Sequence, residues 1–267
     1  GVLRVAVCLL ILLLPTTAMG AGYPLLTRAL AGVPAHPGQV VGWLYAANTA
    51  GASVGAVLAG FVLLPAFGLR VTAGIAAAAD VLVALAAWGM APHLPEARLP
   101  RVAVGGPTRT WSRAPALVVS ALLGAASMAV QVVYTRVLAL IVGPTTYAFS
   151  ALVGVWIGGL AVGALLGTRA ARSRAAGPWL VVATTALGPC LALAMGSVDP
   201  LVLAAGRAAV AEATTDLTFW RPITAALVLI GPVSVACGAA FPLLLARARA
   251  DDSVATLGQV YAANTVG

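Results

Sequence analysis

Ala18-Met19-Gly20-Ala21-Gly22-Tyr23-Pro24-Leu25-Leu26 returns near the other end of the chain as Ala236-Cys237-Gly238-Ala239-Ala240-Phe241-Pro242-Leu243-Leu244. A second phrase follows each copy: Tyr45-Ala46-Ala47-Asn48-Thr49 recurs letter for letter as Tyr261-Ala262-Ala263-Asn264-Thr265. Pro24 precedes Tyr45 by 21 positions and Pro242 precedes Tyr261 by 19, so the order is kept and only the intervening loop changes length. Two phrases that agree in order and spacing mark an internal duplication. The first copy lacks its front and the second stops inside its phrase at Gly267, so the 267 residues read as a window on a longer, two-fold repeated protein.

Composition says what is being repeated. Hydrophobic residues make up 61% of the chain and charged residues 8%, against about 25% charged in a soluble domain, and the mean hydropathy is +1.03. Several apolar runs reach the roughly 20 residues needed to cross about 30 Å of hydrocarbon. They lack the alternation of a membrane barrel, which leaves helices as the spanning element. The expected fold is an all-α, polytopic transmembrane helix bundle with the lipid bilayer as its partner. Spans are expected at 5–27, 43–65, 71–91, 116–141, 146–168, 178–198 and 223–247, with an eighth begun at 258. The run from Gly1 to Leu14 imitates a signal peptide, but the Gly-x3-Pro phrase that follows it also sits deep in the chain, which favours a true span.

The formal charge of +8 would suggest nucleic acid in a soluble protein; here the basic residues sit in short connections between spans, where they orient the chain, and no nucleic-acid partner is expected. All fifteen are Arg, which excludes a lysine Schiff base or a P-loop lysine in this window. Arg28, Arg98, Arg101, Arg109, Arg113, Arg169, Arg172, Arg174, Arg247 and Arg249 fall on one side and Arg4, Arg70, Arg207 and Arg221 on the other, ten against four. The first side is therefore expected to be cytoplasmic. Counted from the fourth span, the Gly-x3-Pro helix is the fourth of its unit and the Tyr-Ala-Ala-Asn-Thr helix the fifth. One further span completes the first copy, which makes six per unit. An even number leaves both units facing the same way, as in the parallel halves of major-facilitator transporters. The expected organisation is 1–91 as the last three helices of the first repeat, 92–114 as a cytoplasmic linker, and 115–267 as the second repeat, cut in its fifth helix, with about seven complete spans in all.

Few residues here could carry chemistry. Gly20 with Pro24, and Gly238 with Pro242, place a helix-weakening glycine one turn before a proline; the pair is either a gating bend or a fixed packing kink. Asn48 and Asn264, with Thr49, lie one to two turns inside a helix end and either bond a facing helix or touch substrate. Asp80, near the middle of the third span, is a candidate for binding a cation or relaying a proton, or else a neutral, hydrogen-bonded acid. Arg136 shares the fourth span with Gln131, Tyr134 and Thr135 and is placed to snorkel to the outer interface. Gly51-x3-Gly55 and Gly159-x3-Gly163-x3-Gly167 are small-residue ladders for helix packing. Cys8, Cys190 and Cys237 read as small buried residues without metal spacing, His36 and His93 as lone loop histidines, and Asp251-Asp252 as a solvated loop. Pro200 to Glu212 suggests a short amphipathic helix. No catalytic set, nucleotide signature, cofactor site or metal site is expected.

Taken together, Met19-Gly20-Ala21-Gly22-Tyr23-Pro24-Leu25, the stretch around Tyr45 to Thr49 and the Gly60 to Pro65 helix end resemble the membrane part of the bacterial fused major-facilitator/spermidine synthase family. The segment Gln131 to Leu140, followed by Tyr147-Ala148-Phe149-Ser150, is similar to the opening helix pair of each repeat in that family. The resemblance covers nearly the whole window and implies a multi-pass protein of the bacterial inner membrane. It also implies a C-terminal cytoplasmic Rossmann-like domain that transfers an aminopropyl group from decarboxylated S-adenosylmethionine to putrescine. None of that domain's residues lies in this window. Gln131 and Asp80 depart from the family pattern, which has Glu and Asn there.

Overall fold

The computed structural model describes residues 2–29, 37–90, 113–171, 173, 175–210, 215–247 and 254–266. The expected linker, 92–114, lies outside the described residues except for its last two positions, Arg113 and Ala114, which open a helix; His36, His93 and Asp251-Asp252 also lie outside them. Among the described residues there is no strand. The elements are α1 (Val2–Ala29), α2 (Pro37–Leu58), a π-helical turn (Ala59–Leu63), α3 (Leu64–Met90), α4 (Arg113–Val142), α5 (Thr146–Ala170), α6 (Ala176–Gly196), α7 (Val198–Val210), α8 (Thr215–Arg247) and α9 (Val254–Val266).

Among the described residues six helical stretches are long and apolar enough to cross a membrane: Leu3–Gly22, Trp43–Met90, Ala114–Val142, Thr146–Ala170, Ala176–Arg207 and Trp220–Ala246. This count differs from the expected seven because the second and third spans run on as one 48-residue stretch. At 1.5 Å per residue that stretch would be about 72 Å long, more than twice the hydrocarbon thickness. It is divided at Gly68, whose φ of 72° and ψ of 175° are non-helical and are tolerated by glycine because it has no Cβ. The division falls inside the connection that the sequence places at 66–70. α7 occupies the expected amphipathic segment and buries Val198, Leu201 and Ala205 against the core, so it is part of the bundle wall and not a free surface helix.

Local signals account for the sharpest turn. Gly143, with φ of 93°, ends α4, and Thr145 caps α5 by accepting a hydrogen bond from the Ala148 amide at 3.1 Å. α5 then becomes the central strut, packed on α8 along one face and on α2 along another. Two buried clusters separate along the helix axes. One gathers Phe61, Tyr134, Leu138, Leu152, Trp156, Ala194, Leu229 and Val233, and the other Ala116, Leu180, Leu243, Leu244 and Val260. The start of α4 thus lies with the end of α8, so these two helices run antiparallel, and the second cluster marks the end at which α4 begins with Arg113 and α5 and α8 finish near Arg169 and Arg247. α1 and α3 stand apart: the apolar window of α1 has no buried residue, and α3 beyond its first turns buries only Thr72.

Candidate functional site

The second copy of the Gly-x3-Pro phrase is a packing surface. Gly159, Gly163 and Gly167 recur every four residues on α5 and so share one face. A methyl group on Gly163 would overlap the Val235 carbonyl and stand 2.8 Å from the Ala239 amide; one on Gly167 would overlap the Ala239 carbonyl and stand 2.7 Å from Pro242 Cγ. Gly238 returns the contact, since a methyl group there would run into the Leu160 backbone. The ladder expected on α5 therefore meets the phrase expected to bend α8. α8 continues as one helix through Pro222, Pro232 and Pro242 to Arg247.

The first copy is differently placed. Among the described residues nothing lies beside Gly20, and the same holds for Gly51 and Gly55, so the ladder expected on α2 packs against none of them. Two residues along a helix turn about 200°, and α2 presents to α5 the other side, with Ser53, Val57 and then Gly60. The Ser53 hydroxyl donates to the Gly154 carbonyl at 2.7 Å, Gly154 faces Val57, and Gly60, inside the π turn, lies against Ser150 with no room for a Cβ. The Ser120 hydroxyl donates to the Val260 carbonyl at 2.7 Å, which ties α4 to α9. Gly124 abuts the Asn264 carbonyl.

At the arginine-rich end the doubled phrases come together. Phe241, from the second copy of the first phrase, lies between the two tyrosines of the second phrase. Its ring centroid is 6.3 Å from Tyr45, tilted by 30°, and 6.1 Å from Tyr261, edge to face at 72°. Tyr45 is eight residues from the start of α2, Tyr261 seven from the start of α9, and Phe241 six from the end of α8. All three rings thus sit about 9–12 Å inside their helix ends.

The other expected site residues do not converge. Asp80 is exposed on α3, Arg136 and Asn48 are exposed, and Gln131 and Asn264 are half-buried. Among the described residues the main packing of α3 is on the adjoining π turn, and no close packing of α3 on α4 brings Asp80 to Gln131 and Arg136. Thr49, expected to bond a neighbouring helix or substrate, is buried and donates instead to the Tyr45 carbonyl of its own helix at 2.6 Å. Cys8 is exposed on the bare α1, and Cys190 and Cys237 are half-buried. Pro24 lies inside α1. Sequence reasoning passed over Ser53 and Ser120, because a lone serine in an apolar run carries no spacing signal. It also passed over Phe241, although its place in the phrase, opposite Tyr23, was available. Among the described residues three buried polar atoms have no hydrogen-bond partner, the Tyr134 hydroxyl, Arg221 Nη2 and Gln259 Oε1, and such groups are met by water or a ligand. Comparison of the chain with protein-family models, with curated proteins and with solved structures returns no match.

Proposed function

We propose that this chain is the membrane module of a spermidine-synthase-like fusion of the bacterial inner membrane. In this reading a bundle of major-facilitator-like parallel repeats tethers a cytoplasmic aminopropyltransferase-like domain and passes a polyamine-like cation to or from it. The observation that carries the reading is the meeting of the doubled phrases, Tyr45 with Phe241 and Tyr261, at the end that the arginine count assigns to the cytoplasm. A domain following the repeats would dock at that end. The reading is tested by comparing the full gene product with its catalytic domain expressed alone and by measuring polyamine flux in cells with and without the helices. A domain that loses activity or a cell that loses flux without the helices supports it. Full activity of the isolated domain together with unchanged flux overturns the passing role.

A free-standing secondary transporter is the second reading, favoured by the same junction, since two repeats that meet through side chains can part and close again. Asp80 is then the cation or proton site, and Asp80→Asn abolishes uptake; retained uptake removes Asp80 from that role.

A further inference from the structure

α2 makes its main-chain packing with α5 and barely approaches α8 and α9. Across the remaining gap reach the rings of Tyr45 on one side and of Phe241 and Tyr261 on the other. α2 is anchored further along, where Ser53 bonds Gly154 and Gly60 seats on Ser150. Tyr45 lies two helical turns beyond the nearest of these anchors, about 12 Å along the axis. The π turn at Ala59–Leu63 adds a widened turn to the anchored part, a feature frequent at functional sites. The first repeat thus has a fixed end on α5 and, at the arginine-rich end, a contact made of aromatic edges and faces, which are individually weak and can separate without exposing a large core.

The geometry points to an aromatic latch: Tyr45, Phe241 and Tyr261 close the arginine-rich end of the passage between the two repeats, and the passage opens when the Tyr45 end of α2 swings away from α8 and α9. The duplication explains how such a device arises. Each repeat contributes its own Tyr-Ala-Ala-Asn-Thr helix, and the two copies meet on a residue of the repeated first phrase. The inference rests on the reading of the bundle as a passage and not on what passes through it.

The test uses the full chain in inside-out membrane vesicles, with Cys8, Cys190 and Cys237 replaced by Ala. Thr49→Cys, one turn behind Tyr45 and buried in the closed form, is the reporter, and its rate of labelling by a membrane-impermeant maleimide is measured. Phe241→Ala and Tyr261→Ala raise that rate at least tenfold, whereas Tyr261→Phe, which keeps the ring, leaves it low. A second reporter, Ser234→Cys, sits in the fully buried α5–α8 interface and stays unlabelled in every variant. An unchanged Thr49→Cys rate overturns the latch. So does equal labelling of both reporters, which shows that the rings only pack the bundle, or opening by Tyr261→Phe, which moves the effect to the hydroxyl. No substrate enters the measurement, so a failed latch leaves the tethering reading standing, and an unchanged polyamine flux leaves the latch standing.

Discussion

The two copies of the Gly-x3-Pro phrase share most of their letters and differ in almost everything around them. In α8, half of the apolar window is buried, and Gly238 lets the helix sit on the Leu160 backbone of α5. In α1 none of the window is buried and Gly20 touches nothing. The phrase does not create its own interface; it permits one. Close packing of membrane helices needs small residues on both partners, and among the described residues α8 meets the complementary ladder, Gly159, Gly163 and Gly167, while α1 meets none. A motif of this kind marks a surface able to pack, and the partner decides whether it does.

The strongest way to break that comparison is to put the same side chain on each side of it. Gly163→Leu forces a branched side chain into the Val235 carbonyl and the Ala239 amide, main-chain atoms that cannot step aside. A loss of at least about 3 kcal/mol is expected, at the upper end of overpacking costs. Gly20→Leu enters open space, and its effect stays within about 0.5 kcal/mol. Unfolding in detergent micelles, followed by the fluorescence of the six tryptophans, including the fully buried Trp156, reads both. Equal losses would mean that α1 is packed as tightly as α8.

A second contrast separates α3 from the packed helices. Asp80 is exposed in the middle of an apolar helix that buries only Thr72. With no neighbour among the described residues to solvate the acid, Asp80→Leu is expected to favour insertion of α3 by about 3 kcal/mol, the cost of Asp at a helix centre together with the gain from Leu. A membrane-insertion assay on the α3 segment measures this through the inserted fraction. In the full chain the same substitution leaves the unfolding of the α5–α8 core unchanged. A destabilised core would place a partner beside Asp80.

How much of this was legible beforehand depends on the kind of signal. Long apolar runs are read directly because length and composition decide whether a helix can span, and the helices follow the expected positions closely. The glycine ladder of α5 was legible because its period of four matches the helix repeat. The ladder of α2 had the same period and packs nothing, because period says which residues share a face and not which face is covered. Ser53, Val57 and Gly60 won that role through contacts with Gly154 and Ser150, ninety or more positions away. Asp80 was legible as an anomaly but not as a site, since its surroundings depend on what α3 packs against. The junction of Tyr45, Phe241 and Tyr261 was half legible: the repeats named its tyrosines, and only the packing of three helices could bring them onto one ring.

The smallest expected effect gives the finest comparison, between the hydroxyl that joins the two repeats and the one that braces the second. Ser53 donates to the Gly154 carbonyl across α2 and α5, and Ser120 to the Val260 carbonyl across α4 and α9, both at 2.7 Å. Each serine is close to an alanine in volume, so removing the hydroxyl tests the hydrogen bond with little change in packing. Ser53→Ala and Ser120→Ala should each cost about 0.6 kcal/mol, the usual size of such bonds between membrane helices, and the two losses should add because the bonds share no helix. Their mechanical consequences should differ. Ser120→Ala acts within one repeat and leaves the Thr49→Cys labelling rate unchanged. Ser53→Ala loosens the anchor nearest to Tyr45 and raises that rate by about the factor of 2 to 3 that 0.6 kcal/mol represents. If Ser120→Ala raises it equally, α2 moves with the second repeat and the hinge is not at Ser53.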